Sequence, residues 1–141
     1  MKLVIDINIL ISALLKDSVT RDILLFPEME FYLPEYALDE IETHKNQIIQ
    51  RSSLSENEID IILATILENI QIIPSSQIKP FLNKVQDIMG AIDPCDVPFL
   101  ALAFAVENEG LWSNDKHFRS IQEIKIWTTH DLFKRIGNKQ Q

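Results

Sequence analysis

Five short apolar runs, each too brief to form a helix, are separated by longer stretches with helical patterning, and this alternation leaves few folds open. The runs are Leu3-Val4-Ile5, Phe31-Tyr32-Leu33, Ile70-Gln71-Ile72-Ile73, Gly110-Leu111-Trp112 and Lys125-Ile126-Trp127. The first is rich in β-branched residues and ends at once in Asp6-Ile7-Asn8, as a buried strand would. Between the runs, Ile59, Ile62, Leu63, Ile66, Leu67 and Ile70 mark one face of a helix, and Ser55 with Glu58 has capping-box spacing at its start. Pro34 is placed to open a helix through Tyr36, Ala37, Ile41 and Ile48, with Glu40 on it. Residues 98–106 are apolar on all sides, which predicts a helix buried over most of its surface. Thr128 and Asp131 have capping spacing ahead of a last helix through Leu132, Phe133 and Ile136. Strands alternating with helices predict an α/β fold with a five-stranded, mainly parallel sheet, because parallel neighbours need helical crossovers.

The chain of 141 residues suits one domain over 1–141, and no linker, repeat or charge block divides it. With 46% apolar residues, three Gly and six Pro, it is neither disordered nor of low complexity. One Cys can form neither an internal disulfide nor a thiolate zinc cage, so a cytoplasmic location is expected. Asp6 and Asn8 interrupt the apolar start, no cleavage site follows it, and no other run approaches a membrane span. Thirteen Lys and Arg against 21 Asp and Glu give a net charge of −8, which disfavours a general, charge-driven binder of nucleic acid. Such binding survives only where acids gather and cations cancel them.

In parallel α/β sheets ligands sit beyond the carboxyl ends of the strands. Asp6 and Asn8 follow the first run, Glu40 the second, Asp93 and Asp96 precede the apolar helix, and Ser113-Asn114-Asp115 follows the fourth run. Four distant segments thus bring carboxylates to one sheet edge. Packed carboxylates repel unless a cation or a proton joins them. Hard oxygen donors suit Mg²⁺ or Mn²⁺, and these ions serve the hydrolysis of phosphodiesters. Each acid also has a plainer reading. Asp93 and Asp96 suit helix caps, Asp115 suits a turn or cap, and Glu40 lies among Glu35, Asp39 and Glu42 as on a solvated face. Asp6 is harder to read that way, since it interrupts apolar sequence where an unpaired charge is costly. His44, His117 and His130 lack metal-ligand spacing and read as surface or capping residues, and Cys95 reads as a small filler. No phosphate-binding Gly-rich loop, serine-hydrolase elbow or dinucleotide fingerprint is present.

Val4 to Leu15, Leu38-Asp39-Glu40-Ile41, Asp93 to Ala103 and Trp112 to Phe118 together resemble the PIN domain family of metal-dependent ribonucleases, in particular its small VapC-like toxins. The resemblance follows the family's order over nearly the whole chain. It implies a three-layer α/β/α sandwich with strand order 3-2-1-4-5. It also implies an acidic quartet of Asp6, Glu40, Asp96 and Asp115, with Asp93 as a further metal-binding carboxylate and Asn8, Ser12 and Ser113 supporting them. Mg²⁺ or Mn²⁺ would activate water against single-stranded RNA, a small antitoxin would block the site with its tail, and the protein would be a homodimer. Ile7 departs from the family pattern, in which Thr is usual after the first Asp. Lys16, Arg21, Lys116 and Arg119 are the candidate RNA contacts: the first two flank the loop after the first helix, the others follow Asp115. The alternative is a non-catalytic PIN-fold binding or assembly module.

Overall fold

Leu3, Val4 and Ile5 lie in the central strand of the sheet, and their alternation divides the core. Leu3 and Ile5 join one buried cluster while Val4 joins the other, so the strand is covered on both faces. The computed structural model describes residues 1–15, 18–89 and 93–139. In chain order the elements are β1 (Lys2–Ile5), α1 (Ile7–Leu14), α2 (Ser18–Leu24), β2 (Glu30–Pro34), α3 (Tyr36–Ser52), α4 (Glu56–Leu67) and β3 (Ile70–Ile73). Then come α5 (Ser75–Ile78), a 3-10 turn (Lys79–Phe81), α6 (Leu82–Met89), α7 (Val97–Ala105), β4 (Leu111–Trp112), a second 3-10 turn (Lys116–Ser120), β5 (Ile126–Trp127) and α8 (Thr129–Lys139).

The five strands run in the order β3-β2-β1-β4-β5, and every pairing is parallel. Phe31 and Leu33 of β2 and Trp112 of β4 extend the first cluster beside Leu3 and Ile5, with residues of α1, α2, α3, α4 and α8 against them. Leu111 and Ile73 extend the second, covered by α7 and by Ile78 and Val85 of α5 and α6. Helices thus cover both faces of the sheet, giving the three-layer sandwich.

Local sequence explains most element ends. Ser55 accepts from the Glu58 N–H at 3.1 Å while Glu58 accepts from the Ser55 N–H at 3.2 Å, so α4 begins with a full capping box. Thr128 and Asp131 exchange the same pair of bonds at 3.0 and 3.1 Å around the start of α8. Gly110 has φ +138°, and a Cβ there would meet the Lys125 carbonyl oxygen and lie 2.8 Å from the Trp127 indole, so β4 enters the sheet through a position only glycine fills without strain.

Three expectations change. Pro34 does not open a helix: it is the last residue of β2, paired with Ile73, and α3 starts two residues later. Ile70 belongs to β3 and not to the helical face, because α4 ends at Leu67. On α8, Leu132 is buried and Ile136, one turn on, is half-buried, whereas Phe133 lies off that face and is 58% exposed.

Candidate active site

β1 pairs with β2 on one side and β4 on the other, so the residues leaving these three strands meet at one edge. Asp6 leaves β1 and caps α1. Its Oδ1 accepts a long bond of 3.5 Å from the Asn8 N–H, and its Oδ2 accepts from the Ser113 hydroxyl at 2.9 Å. Asp6 is only 2% exposed, and burial above all pushes its carboxyl above the usual range; the Ser113 and Asn8 bonds oppose this and the Asp115 charge adds to it. Ser113, 1% exposed, also accepts from the Asp115 N–H at 3.0 Å, so one hydroxyl joins the ends of β1 and β4.

Glu40 is the fifth residue of α3. Its Oε1 is buried without a hydrogen-bond partner, among the described residues an unusual position for a carboxylate oxygen. Burial raises its carboxyl first; His44, one turn along α3, lowers it, and Asp6, Asp96 and Asp93 raise it further. Asp96 stands at the N-terminus of α7, which packs on β1 and β2, yet its side chain makes no capping bond. Its carboxyl is pushed up to about 6, by burial first and then by Asp6, Asp93 and Asp115, while His117 opposes. Asp93 is exposed and accepts from the Cys95 N–H at 2.9 Å. Asp115 accepts from the His117 N–H at 3.0 Å and lies 3.2 Å from His117 Nδ1.

All five acids are therefore brought together as charges that act on one another. Capping chemistry accounts for part of Asp6, Asp93 and Asp115, and for none of Glu40 or Asp96. The donors are hard carboxylate oxygens, one of them buried and unsatisfied, a set that fits Mg²⁺ or Mn²⁺. Among the described residues no three His, Cys, Asp or Glu side chains are drawn close enough to hold an ion as they stand.

The supporting and basic residues divide. Asn8 contributes its backbone N–H while its residue is exposed, and Ser12 is half-buried on α1. Lys116 and Arg119 are exposed on the turn after Asp115. Arg21 lies inside α2, and its Nε donates to the Ala13 carbonyl near the end of α1, where a cation complements the helix dipole. Lys16 lies outside the described residues. Cys95 is exposed and fills no core, and the Asp93 charge above all raises its thiol, which suits no nucleophile. His44 and His117, read as surface residues, do stand beside the acids. His44 falls four residues after Glu40 on one helix face, a spacing visible in sequence. Tyr36 also belongs here: it lies one turn before Glu40, whose charge is the main cause of its raised phenol pKa.

The family model described as PIN domain matches residues 4–136. Among solved structures, the crystal structure of VapBC2 from Rickettsia felis bound to a DNA fragment from their promoter is similar, with a TM-score of 0.65 and 18% sequence identity over 91% of this chain and 98% of that one. At that identity the likeness shows the fold. No curated protein matches the chain.

Proposed function

Because the chain belongs to the PIN domain family, we propose that it is a metal-dependent endoribonuclease that adds water across phosphodiester bonds of single-stranded RNA. The observation that carries this reading is the buried, unpartnered Oε1 of Glu40, a carboxylate that also feels the charges of Asp6, Asp96 and Asp93. Asp6, Glu40, Asp96 and Asp115 would hold Mg²⁺ or Mn²⁺, with Asp93 beside them. Such an ion, when bound, supplies a water of lowered pKa and positive charge near the phosphate.

The chain's own groups prepare that centre. Ser113 fixes one Asp6 oxygen with its hydroxyl and holds the Asp115 backbone with the same oxygen, so two carboxylates from different strands keep a set separation. His44 and His117 lower the local cost of ionising Glu40 and Asp96. Lys116 and Arg119, with Lys16 and Arg21 as further candidates, would supply cations to a phosphate backbone that the net charge of −8 would otherwise repel.

The same resemblance supports a cytoplasmic homodimer with an antitoxin partner. Sedimentation across micromolar concentrations and co-purification with the product of an adjoining reading frame test these two points. The non-catalytic alternative draws on the bonds Asp6, Asp93 and Asp115 make to Asn8, Cys95 and His117, which would suffice for purely structural acids. Incubation with RNA of mixed sequence in Mn²⁺, Mg²⁺ or EDTA decides between them. Cleavage is expected with the ions and absent in EDTA. Asp6→Asn and Asp96→Asn should each lower it about 100-fold or more, the scale of losing about 3 kcal/mol of transition-state stabilisation. Near wild-type turnover in both variants would remove the acids from the reaction.

A further inference from the structure

A groove of about 350 Å³ is walled by Pro34, Tyr36, Ile78, Lys79, Leu82 and Pro98. Two of these residues tie it to the acid site. Tyr36 precedes Glu40 by one turn of α3, and Pro98 follows Asp96 by two residues at the start of α7. Tyr36 and Cys95 are near enough for each to bear on the other's ionisation, and Cys95 stands between Asp93 and Asp96. Tyr36 thus stands beside the acid-bearing segment, is 37% exposed and lines the groove. Lys79, exposed, brings a cation to the wall; Ser75 brings a hydroxyl, already within 3.3 Å of Glu35 Oε1 at the margin.

We propose that this groove is a nucleobase subsite, which takes the base of a nucleotide adjoining the phosphodiester at the acids, with the base stacked on Tyr36 and a backbone phosphate paired with Lys79. The choice of occupant rests on the ribonuclease reading above. A chain of net charge −8 has no global field to hold RNA, so its grip must come from local contacts. An aromatic side chain among prolines and aliphatics offers stacking that every base can use, and one lysine offers charge to a phosphate. Size agrees, since the volume falls in the range of small-ligand sites.

Binding is read by fluorescence anisotropy of a labelled RNA oligonucleotide in Mg²⁺, in an Asp96→Asn background that slows cleavage. Adding Tyr36→Ala should weaken binding about tenfold, the scale of one lost base–aromatic stack, and Tyr36→Phe should restore it. An abasic site walked along the oligonucleotide should cost about tenfold at one position with Tyr36 present and nothing there with Tyr36→Ala, the signature of a direct pair. Equal abasic penalties at every position in both proteins would overturn the proposal. So would a changed sedimentation mass for Tyr36→Ala with unchanged oligonucleotide affinity, which would give the groove to a second copy of the chain. Lys79→Gln should lower the slope of log affinity against log salt by about 1, and an unchanged slope overturns the phosphate contact. Cleavage by the wild-type protein is scored separately: its absence with the Tyr36 coupling intact removes the hydrolysis and leaves the subsite standing.

Discussion

Asp96 occupies a helix N-terminus without bonding any of its free N–H groups, although a carboxylate there ordinarily would. What it has instead is burial and three other acids, which push its carboxyl up to about 6. A folded pKa above the unfolded value means a stabilising contribution that is present in full below about 3.8 and lost as pH rises through about 6. At neutral pH the metal-free protein should therefore carry a strain that Asp96→Asn relieves. In EDTA at pH 7 this variant should melt above wild type, with the gap shrinking as pH falls from 7 towards 4. A variant that melts below wild type by an amount independent of pH would make Asp96 an ordinary cap. Of the site's residues, Asp6 was legible in the sequence from residue type alone, because a charge inside Leu-Val-Ile and Ile-Asn-Ile has a cost that something must offset. Tyr36 and His117 were not, because nothing in their neighbours says which way an exposed side chain turns. Ser113 became a candidate only through the family resemblance, and the structure gives it a physical basis as a hydroxyl shared by two strand ends.

At the scale of elements, the sheet was legible because its strands are short, apolar and buried on both faces, so each stands out as a run without helical period. The helices α2, α5 and α6 did not stand out. They span seven, four and eight residues, too few turns for a periodic face to emerge from a window of ordinary length. Pro34 misled because proline ahead of a helical pattern reads as a helix start, whereas only the pairing with Ile73 shows that here it ends a strand. Gly110 shows the reverse, a single residue on which an element depends. Its carbonyl accepts from the Val4 N–H at 3.0 Å, its φ is +138°, and a Cβ has no room against Lys125 and Trp127. Gly110→Ala should cost about 2 kcal/mol or more, since strain and collision add, and it should disturb β4, which leads directly into Ser113 and Asp115. Urea denaturation checks this; a loss within about 0.5 kcal/mol, as at an indifferent surface position, would show that the backbone relaxes freely.

Across the whole molecule, a surplus of eight negative charges is unremarkable in itself, and its placement carries the meaning. Asp6, Glu40, Asp93, Asp96 and Asp115 come from four distant segments to one edge, so folding concentrates charge that the unfolded chain spreads out. Among the described residues no helix is long and apolar enough to cross a membrane. An ion that binds the folded state and not the unfolded one stabilises by mass action, about 2.7 kcal/mol at 100 times its dissociation constant. Screening by ordinary salt also relieves repulsion, but weakly and without regard to the ion's identity. Mn²⁺ should accordingly raise the melting temperature of the wild-type protein well beyond NaCl at matched ionic strength. Asp96→Asn, starting higher in EDTA, should gain less from Mn²⁺, so that the order of the two proteins narrows or reverses once the metal is present. A gain from Mn²⁺ no larger than that from NaCl, or equal gains in both proteins, would mean that the acids share a field without sharing an ion, and the metal centre would have to be abandoned.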